Sequence, residues 1–255
     1  MQENDIVIIA DTQITPHSSL KHIEKLAKYI WKVKPKYVIH IGDNFDFESL
    51  SFYASPLESE GRRLVDDLES GRKGLAIIPE YIDKMNKKAK KKKYKPEYHF
   101  MMGNHCDRLD RMVKSNPHLE GLVDLRQLVK DQGWEYHEFL HPFWVGDIMF
   151  NHYLPNPLSG RPIGGSVDNK LNKHPHSFVQ GHIQQYQYGR RQTMDGRPQF
   201  GIVAGSFYFE DESYRRSSNT EVRGFTHLVS FTNRYKFKDY DCNFVSLERL
   251  MEMSI

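Results

Sequence analysis

Five short apolar runs each end on side chains that can hold a cation or move a proton, and this order constrains the fold more than any bulk property. Ile6–Ala10 leads into Asp11-Thr12-Gln13, Tyr37–Ile41 into Gly42-Asp43-Asn44-Phe45-Asp46, and His99–Met102 into Gly103-Asn104-His105. Ile148–Phe150 precedes Asn151-His152, and Ser177–Gln180 precedes Gly181-His182-Ile183-Gln184. Short apolar runs bounded by turn signals read as buried strands. In an open α/β sheet, ligands gather beyond the carboxyl ends of the strands, where loops converge over a packed body. Acid, amide and imidazole groups at successive strand ends are what a metal site for phosphate chemistry needs.

The first half alternates strand and helix. After the first strand, Leu20, Ile23, Leu26, Ala27 and Ile30 recur at helical spacing and predict a helix over Ser19–Val33, which Pro35 ends. A long helical region is expected from Leu57 to Lys93, with a break near Gly71–Gly74. Two helices are expected over Asp107–Lys114 and Leu119–Asp131. Beyond Gly133 the pattern becomes strand-rich: Phe143–Val145, Ile148–His152, Ser177–Gln180, Gln185–Arg191, Gln199–Ala204, Thr226–Phe231 and Tyr235–Tyr240. Gly146-Asp147 and Asp195-Gly196 are the expected hairpin turns. With no internal repeat and no linker, 1–255 reads as one domain.

Bulk properties exclude several classes. The net charge of +3 does not announce a polyanionic partner. Cys106 and Cys242 make no disulfide framework, so a reducing compartment is expected. Met1–Asp5 lacks the basic and apolar segments of a signal peptide, and no apolar stretch is long enough to span a bilayer. A soluble, cytoplasmic protein is expected.

The motif set resembles the calcineurin-like metallophosphoesterases, whose pattern is D-x-H, G-D-x-x-D, G-N-H-[DE], a lone His and G-H-x-H. The resemblance implies an α/β fold with two sheets packed as a β-sandwich between flanking helices. It also implies two adjacent cation sites bridged by Asp43. One would take Asn104, His152 and His182 with Asp43, all matching the family. The other would take Asp11 with positions 13 and 184, where this chain has Gln13 and Gln184 instead of histidine. A glutamine carbonyl oxygen is a hard, neutral ligand that suits Mn²⁺ or Mg²⁺ better than Zn²⁺. Mn²⁺ is therefore the expected ion, with Mg²⁺ and Zn²⁺ as alternatives, and the glutamine-containing site is expected to be the weaker. The family's role for the position of His105 is to protonate the leaving oxygen, with Asp46 orienting its imidazole.

Two departures narrow the subfamily. Phe47-Glu48 replaces the Arg-Gly that follows the second motif in protein Ser/Thr phosphatases, and Cys106 replaces the usual acid. Gly-Asn-His-x-x-Arg, ending at Arg108, and Arg223-Gly-Phe resemble phosphoesterases common in bacteriophage and prophage genomes, distantly related to DNA-repair exonucleases; a phage-encoded chain would work in the host cytoplasm. The resemblance implies hydrolysis of a phosphodiester in nucleic acid or a nucleotide by a metal-activated water. Asn104, Arg108 and Arg111 are the expected substrate contacts. The alternatives are a nucleotide pyrophosphatase or small phosphodiesterase, and, in another class, a degenerate member kept as a binding scaffold. Lys84–Lys95 holds eight lysines and reads as a solvated helix end unless it faces the site. Arg190, Arg191, Tyr208, Phe209, Tyr214, Arg215 and Arg216 could stack bases or form core and rim.

Overall fold

Ile6, Val7, Ile8 and Ile9 are all buried, which requires packing on both faces of their strand. The computed structural model describes residues 4–51, 55–90, 93–209 and 221–255. Its strands are β1 (Ile6–Ile9), β2 (Tyr37–His40), β3 (Glu97–Met101), β4 (Glu135–His137), β5 (Phe143–Val145) and β6 (Ile148–Asn151). They continue as β7 (Ser177–Gln180), β8 (Tyr186–Gln192), β9 (Pro198–Ala204), β10 (Gly224–Thr232) and β11 (Lys238–Ser246). One sheet has the order β11-β10-β1-β2-β3-β4 and the other β5-β6-β7-β9-β8. β1 to β4 pair in parallel, as do β6, β7 and β9, while β10, β11, β5 and β8 add antiparallel edges.

Alternation along β1 divides its side chains between two cores. Ile6 and Ile8 meet Phe150, Val179 and Ile202 of the second sheet, while Val7 and Ile9 face the helices. Helix α1 (Lys21–Val33) buries Ile23, Leu26, Ala27 and Ile30, the residues whose spacing predicted it. The remaining helices are α2 (Pro56–Ser59), α3 (Leu64–Lys88), α4 (Asp107–Ser115), α5 (Leu125–Asp131), α6 (Val167–Lys173) and α7 (Leu247–Glu252). The expected two-sheet α/β sandwich with helices outside is the architecture found. No helix among the described residues is long and apolar enough to cross a membrane.

The expected break near Gly71–Gly74 is absent: α3 runs through both glycines. A Cβ on Gly71 would stand 2.1 Å from the Phe45 ring, and one on Gly74 2.0 Å from Ile14 Cδ1. These glycines let the helix pack directly against the loops that carry the second and first motifs. Gly71→Ala should gain about 1 kcal/mol of helix propensity but lose about 1–3 kcal/mol to overpacking. The net expectation is a lower urea midpoint.

Other boundaries also differ. α5 begins at Leu125 because Asp124 caps it, accepting from Gln127 N at 2.9 Å. The last strand starts at Lys238, since a turn held by Asn233 occupies the preceding residues. β4, α6 and α7 had no counterpart in the sequence reading, although Ser166 and Ser246 cap the two helices as N-cap serines do. β4 is only three residues, Glu-Tyr-His, too short for a periodic signal.

Candidate metal centre

The five motifs converge beyond the carboxyl ends of the central strands. The loop after β1 runs beside the loop after β2: Gln13 N donates to Asp43 O at 2.8 Å and Ile14 N to Asn44 O at 2.8 Å. Beneath them a buried polar chain joins His40 Nε2 to Thr12 Oγ1 (3.0 Å), Thr12 to Asn44 Oδ1 (3.1 Å) and Asn44 Nδ2 to Gly71 O (3.0 Å). Sequence reasoning missed this bracing role of Thr12, Asn44 and His40. No single residue in the chain signals it, because it depends on three elements meeting.

Among the described residues, nine non-glycine positions have positive φ, and Asp11, Gln13, Asp43, His182 and Gln184 are five of them. Left-handed backbone costs about 1–3 kcal/mol per such residue and persists only where the surroundings enforce it. Here it falls on five of the seven candidate ligands. The motif glycines serve close approach. A Cβ on Gly103 would lie 2.1 Å from Asp43 Oδ1, and one on Gly181 2.6 Å from Asp11 Oδ2.

Asp43, Asn104, His152 and His182 come together at one point. His152 Nε2 is 2.8 Å from Asn104 Oδ1 and 3.2 Å from Asp43 Oδ2, while His182 Nδ1 is 2.7 Å from Asn104 Oδ1. Ligands held about 2.0–2.2 Å from one ion stand at about these separations. His152 Nδ1 meets Ile41 O at 2.8 Å, which leaves Nε2 directed at the cluster. Across the loop pair, Asp11 Oδ1 and both amide atoms of Gln13 are buried without a hydrogen-bond partner among the described residues. Gln184 is buried too, and its Oε1 accepts from Tyr208 OH at 2.7 Å. Orphaned buried acceptors beside a carboxylate, an amide and two imidazoles make a donor set that fits a divalent cation.

The electrostatics agree with that fit. Burial, with Asp43 nearby, pushes the Asp11 carboxyl up to about 7 against the opposing pull of His152. Burial disfavours charge on Asp43 as well, but His152 and His105 outweigh it and hold this carboxyl low. Burial also disfavours the His152 imidazolium, yet Asp43 reverses this and raises it to about 9. His182, half-buried beside His152, is lowered to about 4 by its partial burial and by His152. A cation held by Asp11 and His152 would have to displace their protons. Each displaced proton weakens binding by about tenfold per pH unit below its pKa, so apparent affinity should fall as pH drops and steepen below about 7. Competition titrations across that range would measure this; a flat profile would contradict it.

His105 lies beside the cluster. Its backbone N–H donates to Asp43 Oδ1 (2.8 Å), and its Nδ1 meets Asp46 Oδ1 at 2.5 Å. Burial lowers the imidazolium's stability, but the Asp43 and Asp46 carboxylates more than offset this and raise its pKa. Arg108 is buried: its Nη1 donates to Asp46 O at 2.8 Å and its Nη2 approaches His105 Nε2 at 3.4 Å. Arg111 is half-exposed and paired with Asp107 at 3.1 Å. A cleft of about 590 Å³ opens between Gln13, Asp46 and Tyr208, with Arg62 and Arg63 on its wall.

Other basic candidates lie elsewhere. The lysine run leads into the amino end of β3, whereas His105 follows its carboxyl end, so the run sits at the opposite end of the sheet from the motifs. Arg190 pairs with Asp239, and Arg191 is held by Gln199, Asn172 and Leu171 O, as rim residues are. Phe209 packs edge-on against His22. Tyr214, Arg215 and Arg216 fall outside the described residues. Cys106 is fully buried, and burial pushes its thiol up to about 12, which suits a filler and not a nucleophile.

A family model described as calcineurin-like phosphoesterase matches residues 5–216. No curated protein sequence matches the chain. Among solved structures, it is similar to an archaeal phosphodiesterase with 13% identity, covering 94% of this chain and 99% of that one, at a TM-score of 0.44. Vps29 from Chaetomium thermophilum shows 12% identity, 96% coverage of each chain and a TM-score of 0.40. Yfce, a phosphoesterase from E. coli, shows 10% identity, 95% and 99% coverage and a TM-score of 0.40. With the family model spanning most of the sequence, the chain belongs to the calcineurin-like phosphoesterase family, whose members work with divalent metal ions.

Proposed function

We propose that the chain is a metal-dependent phosphodiesterase acting on nucleic acid or a nucleotide, with Mn²⁺ as its working ion. The observation that carries this reading is the 2.7–3.2 Å convergence of Asn104, His152, His182 and Asp43 beside the His105–Asp46 pair. Asp43, Asn104, His152 and His182 would hold the tighter ion, and Asp11, Gln13 and Gln184 the weaker one with Asp43. Bound divalent ions supply a more acidic water and a counter-charge for phosphate oxygens.

The remaining chemistry belongs to the chain. Asp46 accepts from His105 Nδ1, which fixes the ring and leaves Nε2 as the edge that can give a proton to a leaving oxygen. The nearby carboxylates favour the protonated ring. Arg108 is tied to Asp46 O and lies against Nε2, an arrangement that supports a positioning role for it beside any contact with phosphate. Tyr208 holds the Gln184 amide, so its hydroxyl orients one of the candidate ligands.

The cleft favours a short substrate over a long duplex. Asp46, Glu48, Glu60, Asp66 and Asp67 share its wall with Arg62 and Arg63, and five carboxylates would repel an extended polyanion. A nucleotide or a nucleic-acid end fits a space of about 590 Å³. A panel of phosphodiesters, dinucleotides and oligonucleotides with Mn²⁺, Mg²⁺, Zn²⁺ or EDTA tests the proposal. Mn²⁺-dependent cleavage abolished by EDTA is expected. Cleavage of dinucleotides alone would favour the small-phosphodiesterase reading. A chain that takes up no cation and cleaves nothing would be a binding scaffold.

A further inference from the structure

A second cluster of metal-ligating side chains lies away from the motif loops, where edge strand β4 meets β3. His99 faces Glu135 in the parallel register, and His137 lies two residues further on the same face of β4. His99 Nδ1 is 3.1 Å from His137 Nε2 and 3.3 Å from Glu135 Oε2, and the three ligand atoms all lie within 4.8 Å of one another. Two atoms bound about 2.0–2.2 Å from one tetrahedral or octahedral ion stand about 3.0–3.5 Å apart. Both separations from His99 Nδ1 fall in that interval. Phe143, on the edge strand of the other sheet, stacks on His99 with centroids 4.1 Å apart and lies 4.6 Å from His137, so both rings are held in place. The Glu135 side chain is 65% exposed and leaves an open side for an ion to arrive.

Hydrogen bonding alone accounts poorly for this group. If His99 donates from Nδ1, its Nε2 becomes a bare lone pair. That atom is buried, has no hydrogen-bond partner among the described residues, and faces a Glu97 carboxylate oxygen at 3.9 Å. Two acceptors would then confront each other. If His137 instead donates from Nε2 to His99 Nδ1, Glu135 Oε2 faces that same nitrogen at 3.3 Å without a proton between them. With Nδ1 directed at a cation, the ring proton moves to Nε2 and points at Glu97, the carboxylate–histidine arrangement that orients metal-bound imidazoles.

We propose that His99, Glu135 and His137 form a separate site for a divalent transition ion of the Zn²⁺ class, pinning β4 to β3 at the sheet edge. Two imidazoles and one carboxylate with an open position suit such an ion better than Mg²⁺ or Ca²⁺. This proposal is independent of the cleft and of the reaction performed there.

The test titrates the full-length apo chain with Zn²⁺ against a chromophoric chelator, in wild type, Glu135→Gln and His137→Ala. His137→Ala is expected to bind one equivalent fewer than wild type. Glu135→Gln, a change at an exposed side chain that the fold does not depend on, should weaken that same equivalent by at least about tenfold. Mn²⁺-supported turnover should stay at the wild-type level in Glu135→Gln. Unchanged stoichiometry and affinity in Glu135→Gln would overturn the proposal and leave the cluster as a hydrogen-bonded group.

Discussion

Replacing His105 with Ala is expected to lower turnover on a phosphodiester by about 10²–10⁴-fold, the usual worth of a positioned general acid, while bound metal stays at the wild-type level. The separation follows from the contacts. Only the backbone N–H of His105 touches Asp43, and alanine keeps that bond. The imidazole instead meets Asp46 Oδ1 and approaches Arg108. Metal content by atomic emission and steady-state kinetics on one preparation would check both halves. A pH profile adds a readout that a structural role would not move. The raised pKa favours the protonated ring, and activity needing that proton declines as pH rises through it. That alkaline limb should be missing in the variant. Full activity in His105→Ala would remove the imidazole from the reaction.

Asp43→Ala is expected to abolish metal binding and turnover together, each by more than about 100-fold, since even outer-shell partners of metal ligands are worth 10–100-fold. Asp43 Oδ2 lies 3.2 Å from His152 Nε2, and Oδ1 accepts the His105 N–H at 2.8 Å. One carboxylate therefore joins the cluster to the His105 loop. The fold should survive, because His152 owes its raised pKa to Asp43 and can shed its proton once that partner is gone. Far-UV circular dichroism would verify folding, and calorimetric titration with Mn²⁺ would measure the loss. Near-normal Mn²⁺ affinity in a folded variant would show that the ion sits elsewhere. Gln13→His and Gln184→His are the informative counterparts, expected to tighten the weaker ion.

Much of the candidate site was legible because strand ends are local features. Asp11, Asp43, Asn104, His152 and His182 each follow an apolar run, and parallel pairing of β1, β2 and β3, and of β6 and β7, brings the ends of such runs side by side. What failed was local reading of residues whose reason is distant. Gly71 and Gly74 look like helix breakers, yet they are helical because Phe45 and Ile14 occupy the space a side chain would need. Tyr208, open to base stacking or to core and rim from its sequence, reaches back twenty-four residues with its hydroxyl to Gln184. For Arg108, expected to contact substrate, nothing in the sequence signalled that its Nη1 also donates to Asp46 O.

By itself the sequence determined the alternation of strand and helix, the two-sheet class and the chemical identity of the groups at the strand ends, since hydrophobic period and side-chain type are written residue by residue. The tertiary structure decided the rest. It forced left-handed backbone on Asp11, Gln13, Asp43, His182 and Gln184, left Asp11 Oδ1 and the Gln13 amide without hydrogen-bond partners among the described residues, and put the described lysines before β3 at the far end of the sheet. No residue prefers such conformations or such burial alone; they exist only where packing from separate segments outweighs their local cost.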